Sequence, residues 1–251
     1  MGALPMASDR KQGEGRPEFY RFRDLTLENI QRDLHVHTTR TDGQSTIQAL
    51  LDRAPGLGLR EIAYTEHVRR ETDWFPEFFA EVDQERQTAA TRVWIGIEAK
   101  ALDFSGGLDA SDEILARAEI VLGSVHRIPS GGEFVSLATY PKEKAFEIEF
   151  ELARGLVRSA PIQVLAHPGG MSYRAFKEFP RNCLADLMRE CRRRDVAIEI
   201  NSSYLLDWDG FLELAERENP YVSIGSDVHR LEHLAQCRDK LGPLVAGRNR
   251  E

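Results

Sequence analysis

Two histidines stand two residues apart in the stretch RDLHVHTTRTDGQST, residues 32–46, where a short apolar run ends, and an aspartate follows five residues after the second. On a strand, alternate side chains share a face, so His35 and His37 project the same way about 6.6 Å apart along the axis. Two imidazoles on one face can hold one metal ion. The rest of the chain repeats the device. Seven short runs rich in Val and Ile each close on a polar, metal-capable residue: IQRDLHVH (30–37), EIAYTEH (61–67), VWIGIE (93–98), AEIVLGSVH (118–126), IQVLAH (162–167), VAIEIN (196–201) and VSIGSDVH (222–229). Six of the seven histidines fall at these ends, the position at which barrels of parallel strands carry their chemistry. Asp227 with His229, and Glu199 with Asn201, share a strand face by the same period of two.

A lone buried histidine is more often a hydrogen-bonded core residue than a ligand, and His67 or His167 alone would be read that way. A whole set converging on one rim is different, because so many polar groups facing one centre are costly without an ion to satisfy them. His233 belongs to no run end and reads as a surface helix residue.

The elements that would position these residues follow from the spacing. Between the runs lie amphipathic stretches with apolar residues three and four apart, such as TIQALLDRA, EFFAEVDQERQTA, EKAFEIEFELARGLV and NCLADLMRECRR, the pattern of repeated strand and helix units building a parallel sheet. No linker or repeat divides the chain. Residues 1–18 read as a disordered leader and 19–251 as a single domain. No run of the 251 residues approaches membrane-helix length, so a soluble protein is expected, and Cys183, Cys191 and Cys237, which form no CxxC pair, suit a reduced, cytoplasmic setting. A net charge of −8 argues against a broad grip on nucleic acid. The basic run RECRRRD, residues 189–195, reads as a solvated helix surface.

These residues resemble the PHP family, the polymerase and histidinol phosphatase superfamily of metal-dependent phosphoesterases. DLHVHTTRTDG, YTEH, GIE, GSVH, AHPGG, IEINSS and GSDVH occur in the family's order across nearly all of residues 32–235. The resemblance implies a distorted seven-stranded, TIM-like (βα)7 barrel with two or three divalent metal ions, zinc, manganese or iron, at the carboxyl ends of its strands. It implies His35, His37, Glu98 and Asp227 as ligands of a first ion, with Glu98 bridging to a second held by His126 and His167, and Asp42, His67 and His229 at a third. One position departs from the family pattern. Thr65, Glu66 and His67 stand where the family usually has Thr-Asp-His, and the longer Glu66 is expected to shift the third site or reach a substrate.

The implied activity is hydrolysis of a small-molecule phosphomonoester, most like the histidinol phosphatase type, by a metal-bridged hydroxide. Glu98, Asp227 and His229 lie at the reacting centre in this reading. Lowering the pKa of water from 15.7 to about 7 represents roughly 12 kcal/mol of deprotonation work, more than a lone general base contributes. Three divalent ions against Asp42, Glu98 and Asp227 leave a net positive site for a phosphate dianion inside an acidic protein. Arg127, Arg230 and Arg69, each within two residues of a ligand, are candidates for binding the phosphate, and Asn201 for supporting the site or orienting the substrate. LLDWDGF, residues 205–211, is a candidate substrate lid. The expected partner is a small phosphate ester, with neither extended nucleic acid nor a membrane, and nothing in the sequence specifies an oligomeric state. The alternatives are a phosphodiesterase or exonuclease on nucleotides or short oligonucleotides, and an amidohydrolase-type enzyme; a binding module without turnover is a more distant reading.

Overall fold

The computed structural model describes residues 15–131 and 133–248. The expected leader over residues 1–18 therefore lies mostly outside the described residues. Glu18 does not: its carbonyl accepts from Arg32 Nη1 at 2.5 Å.

The elements run β1 (Tyr20–Arg21), β2 (Arg32–Val36), α1 (Ile47–Arg53), β3 (Glu61–His67), α2 (Phe75–Glu85), β4 (Arg92–Lys100), α3 (Asp112–Arg117), β5 (Ile120–Ser124), β6 (Ile128–Ser130), β7 (Glu133–Val135), α4 (Lys142–Ser159), β8 (Val164–Leu165), α5 (Gly170–Phe176), α6 (Arg181–Arg194), β9 (Ala197–Asn201), α7 (Trp208–Glu218), β10 (Tyr221–Gly225) and α8 (Gln236–Arg248). The main sheet has the order β1-β10-β9-β8-β5-β4-β3-β2, parallel throughout except for β1, and β6 with β7 forms a separate hairpin. All seven apolar runs contribute a parallel strand.

The hydrogen-bond ladder does not close into the distorted seven-stranded barrel that the resemblance implies. β1 adds an eighth, antiparallel strand on β10. The sheet curls until β2 and the chain beyond β10 meet at a single parallel bridge, Val36 with Val228, where Val228 N–H donates to His35 O at 3.1 Å and His37 N–H to Val228 O at 2.9 Å. That bridge brings the first and last functional segments together.

The two faces of the sheet differ because neighbouring side chains point opposite ways. On β4, Val93, Ile95 and Ile97 join the large core shared with the helices, while Trp94 joins Leu34, Ala63, Ile120, Leu122, Val164, Ala166 and Ala197 in a separate apolar cluster on the opposite, inner face. Higher on that inner face the apolar residues give way to Thr65 and Gly96, and then to His67 and Glu98, which the β3–β4 register sets side by side. The apolar layer thus forms a floor beneath the polar rim.

Helix ends are fixed by local chemistry. Thr46 caps α1 through Ala49 N–H, and Asp207 caps α7 through Gly210 N–H. That cap places residues 205–211 at the start of a helix, with Leu205 buried, instead of in a free lid. Within RECRRRD, Arg189 pairs with Glu218 at 2.9 Å and Arg193 with Glu190 at 2.6 Å on the surface of α6. Cys183, Cys191 and Cys237 are unpaired thiols, the last two buried. No helix among the described residues is long and apolar enough to cross a membrane.

Glu149 of α4 is buried and takes the free N–H groups that open α5, Met171 N–H at 3.0 Å and Ser172 N–H at 2.8 Å, and also accepts from the Ser172 hydroxyl. Burial pushes its carboxyl up from 4.5 to about 7. The folded protein therefore holds this proton more tightly than the unfolded chain. The group's contribution to stability is complete below pH 4.5 and is lost as pH rises toward about 7, by on the order of 3 kcal/mol. Glu149→Gln removes that titration, so its melting temperature relative to wild type is expected to rise between those pH values; a difference independent of pH would contradict the placement of this proton.

Candidate metal centre

Four side-chain atoms converge where the ends of the sheet meet. His35 Nε2 lies 3.1 Å from His37 Nε2, 3.5 Å from Glu98 Oε2 and 3.6 Å from Asp227 Oδ1. His37 Nε2 lies 3.6 Å from Glu98 Oε2 and 3.3 Å from Asp227 Oδ1. Ligands arranged tetrahedrally around an ion at 2.0–2.1 Å stand about 3.4 Å apart, so these separations match a shared ion. The donor set, two imidazoles and two carboxylates, suits zinc, manganese or iron.

Glu98 spans two such sets. Its other oxygen, Oε1, lies 2.8 Å from His167 Nε2 and 3.0 Å from His126 Nε2, and those two nitrogens are 3.4 Å apart. Three donors with an open side have the form of a catalytic site and not of a closed structural one. A third set forms nearer the surface, where Asp42 Oδ2 lies 3.4 Å from His67 Nε2 and 3.3 Å from His229 Nε2. His37 Nδ1, buried without a hydrogen-bond partner, is 4.0 Å from Asp42 Oδ1 beside that set. The nine ligand candidates thus come together as three adjoining groups.

Electrostatics hold the donors in place. Burial opposes the charged form of His35, but the carboxylates of Glu199, Asp227 and Glu98 outweigh it and hold the imidazole pKa well above its usual value. Burial likewise opposes ionisation of Glu98, yet the imidazoles of His126, His35 and His167 keep its carboxyl well below the ordinary range. Burial lowers His37 to about 4, reinforced by His35 and His67. His67 is lifted to about 10, because hydrogen bonds and charge from Asp42 and Glu98 overcome its burial.

Behind the ligands stands a layer that sequence reasoning left out of the site. Glu199 is fully buried on β9; His35 Nδ1–H donates to its Oε1 at 2.7 Å, which leaves His35 Nε2 free to ligate. Its Oε2 accepts from His167 N–H at 2.7 Å and Asn201 Nδ2 at 3.1 Å, so one carboxylate orients ligands of two sites. A glutamate facing inward on an otherwise apolar strand was the available signal. Asp33, two residues before His35, accepts from Ser226 N–H and Ala235 N–H, each at 2.9 Å, and so fastens both ends of the segment that carries Asp227 and His229. His229 Nδ1–H donates to Asp227 O at 3.0 Å, which turns Nε2 toward Asp42. Asp227 and His229 follow β10 and do not lie on it, and Asp227 adopts the left-handed region at φ 52°.

Glu66 is not among the residues that line the cavity over the cluster. It is buried, and accepts from Thr38 N–H at 2.8 Å and from the Thr41 hydroxyl. The extra methylene is used to hold the loop that presents Asp42. Asn201 faces away from the cavity as well, its Oδ1 accepting from Ser203 N–H at 2.9 Å and Tyr204 N–H at 3.1 Å, so it shapes the turn that carries Tyr204. Tyr204 in turn stacks on His167 with ring centroids 4.5 Å apart.

A cavity of about 870 Å³ opens over the cluster. Arg127 lines it, whereas Arg69 and Arg230 are not among its lining residues. Arg174, Tyr204 and His233 line it too, and none of them was a sequence candidate for the site. His233, expected on a surface helix, sits half-buried at the end of a single 3-10 turn, Leu231–His233, that follows His229.

Three adjoining histidine and carboxylate sets at the carboxyl ends of parallel strands, with one carboxylate shared, define an α/β protein whose side chains could hold metal. The chain belongs to the PHP domain family, whose model matches residues 33–203. Relatives named "Probable phosphatase" include one from Acetivibrio thermocellus, 24% identical over 78% of each chain, and YcdX of Escherichia coli, 24% identical over 78% of each chain. The DNA polymerase/3'-5' exonuclease PolX of Bacillus subtilis is 25% identical over 84% of this chain but only 36% of its own length. A Listeria monocytogenes chain proposed to be the histidinol phosphatase hisK has the same fold, with a TM-score of 0.66 at 14% identity over 83% of this chain and 99% of that one.

Two substitutions test the layer behind the ligands. Glu199→Gln weakens the hold on His35 and is expected to lower metal affinity roughly 10–100-fold by titration calorimetry; unchanged affinity would remove Glu199 from the site. A Cβ at Gly225 would stand 2.1 Å from Glu199 Oε1 and 2.7 Å from His35 Cβ. Gly225→Ala is therefore expected to cost about 1–3 kcal/mol of stability and to lower metal content as well; a variant with wild-type melting temperature and metal content would contradict that close approach.

Proposed function

We propose that this chain is a metal-dependent phosphoesterase that hydrolyses a small-molecule phosphomonoester. The observation that carries the reading is Glu98, whose two buried oxygens each stand within ligand-pair distance of a different pair of histidines, His35 with His37 and His126 with His167. When bound, two or three divalent ions, zinc, manganese or iron, supply Lewis acidity and lower the pKa of water toward neutrality.

The chain's own residues do the rest. Glu199 fixes the tautomer of His35, Glu66 holds the loop of Asp42, and Asp33 holds the segment of Asp227 and His229, so the donors are set before substrate arrives. Glu98, Asp227 and His229 surround the reacting centre, and Asp42, Glu98 and Asp227 return three negative charges against the ions. The remaining positive charge favours a phosphate dianion in a chain of net charge −8. Arg127 stands on the cavity wall beside the metal centre, where its guanidinium can donate hydrogen bonds to an anion on the substrate.

A small monoester is favoured over nucleic acid by the overall acidity of the chain, and by relatives named "Probable phosphatase" that match over most of their length where PolX matches over about a third. We further propose that the curled sheet acts as a distorted barrel and that the protein works in a reduced, cytoplasmic setting.

Inorganic phosphate release from a panel of phosphomonoesters, including histidinol phosphate, sugar phosphates and nucleotides, tests the reading with manganese or zinc supplied. Hydrolysis abolished by chelation is expected, and His37→Ala is expected to lose hydrolysis and first-site metal while keeping its fold, since the apolar floor lies elsewhere. Silence across the panel from folded, metal-loaded protein, or full activity in His37→Ala, would contradict it.

A further inference from the structure

The cavity over the cluster has two chemically distinct parts. Its carboxylates, Asp42, Glu98 and Asp227, all belong to the metal centre. The basic lining residues outside the metal centre are Arg127, Arg174 and His233, and the lining holds no further carboxylate. That is unexpected in a chain with 41 acidic residues against 33 basic ones.

Many arginines meet carboxylates, as Arg40 meets Glu81 at 2.8 Å, Arg158 meets Glu190 at 3.1 Å and Arg181 meets Glu213 at 2.7 Å, while others, such as Arg53, Arg69 and Arg230, pair with none among the described residues. Arg174 has no such partner among the described residues. One of its five donors reaches Tyr204 Oη at 3.2 Å, and its guanidinium lies 5.8 Å from the centre of that ring. Arg127, exposed on the same cavity wall, likewise has no carboxylate partner among the described residues.

Position reinforces the point. Tyr204 stacks on His167 with ring centroids 4.5 Å apart and takes a hydrogen bond from Arg174 on its hydroxyl, so one aromatic ring links the guanidinium to the second candidate set. Arg174 rides on α5, whose opening N–H groups are fastened by buried Glu149, so its backbone is held in place. Leu137, Ala138, Met171 and Ala175 line the same cavity. The wall thus offers apolar surface with guanidinium groups beyond the cluster.

We infer that the ester this site takes carries a second anionic group, a carboxylate or a further phosphate, on the carbon frame of its leaving part, and that Arg174 and Arg127 bind that group. The inference rests on the phosphoesterase reading and narrows it. A forked guanidinium binds either anion in two-pronged fashion, while an amine-bearing alcohol would meet two positive side chains and no acid to pair with.

The test compares phosphate monoesters of short straight-chain alcohols whose far end carries a hydroxyl, a carboxylate, a second phosphate or an ammonium, using manganese-loaded enzyme. The expected result is kcat/KM roughly 10–100-fold higher for one or both anion-ended esters than for the hydroxyl-ended one, with the ammonium-ended ester lowest. Which anion leads identifies the second group. In Arg174→Ala and Arg127→Ala the ratio of anion-ended to hydroxyl-ended kcat/KM is expected to collapse toward one. Equal rates across the series, preference for the ammonium, or a preference that survives both substitutions would overturn the inference and leave the phosphoesterase reading standing. If no ester is hydrolysed, that reading fails instead, and calorimetric binding of the same compounds decides the inference. Tighter, Arg174-dependent binding of the anion-ended esters supports the second subsite, and binding indifferent to the far end overturns it.

Discussion

A carboxylate taken out of water must be compensated, and Glu98 is buried with both of its oxygens facing imidazoles. Every other feature of the rim follows from that need. His67 Nδ1 comes within 2.9 Å of Glu98 Oε2 because β3 and β4 pair in the register that sets His67 opposite Glu98. His126 and His167 reach Oε1 from the chain just after β5 and β8, the next strands in the sheet. His35 and His37 arrive from the other edge. A cluster that concentrates negative charge among imidazoles, with donor atoms at ligand spacing, is a site that cations stabilise and protons satisfy only in part.

The supporting layer fixes the orientation of the cluster's side chains. Glu199 ties β9 to His35 and to the backbone of His167, Asp33 ties β2 to the segment after β10, and Glu66 ties β3 to the loop after β2. These buried acids lie on three strands and act on neighbours far away in sequence. Each directs its oxygens to backbone N–H groups, an imidazole, or a hydroxyl or amide side chain, so the penalty of burying charge also fixes geometry.

That His35, His37, Glu98, His126 and His167 approach one another was foreshadowed by their places at or just beyond the ends of apolar runs, while their grouping into ligand sets came from the family resemblance and not from periodicity. The alternating runs also foretold the seven parallel strands. What could not be read depends on contacts across the chain. Asp33 meets Ser226 across 193 positions, and no local pattern reveals that. The strand β1 is two residues long, too short for periodicity. His233 looked solvent-exposed because its turn belongs to no periodic element, yet the turn folds back over the cavity. Adjacency to a ligand was a poor guide to the arginines. Arg127 reaches the cavity, Arg69 and Arg230 do not, and Arg174, seven residues beyond His167, is brought there by the turn through Gly169, at φ 79°, into α5.

The central claim is that Glu98 divides its two oxygens between two cations. The most direct measurement is a crystal structure of manganese-loaded protein with anomalous scattering collected at the manganese edge. Two peaks are predicted beside Glu98, one bonded to Oε2 with His35, His37 and Asp227, the other to Oε1 with His126 and His167. A single peak, or ions bound elsewhere with Glu98 touching none, would contradict it.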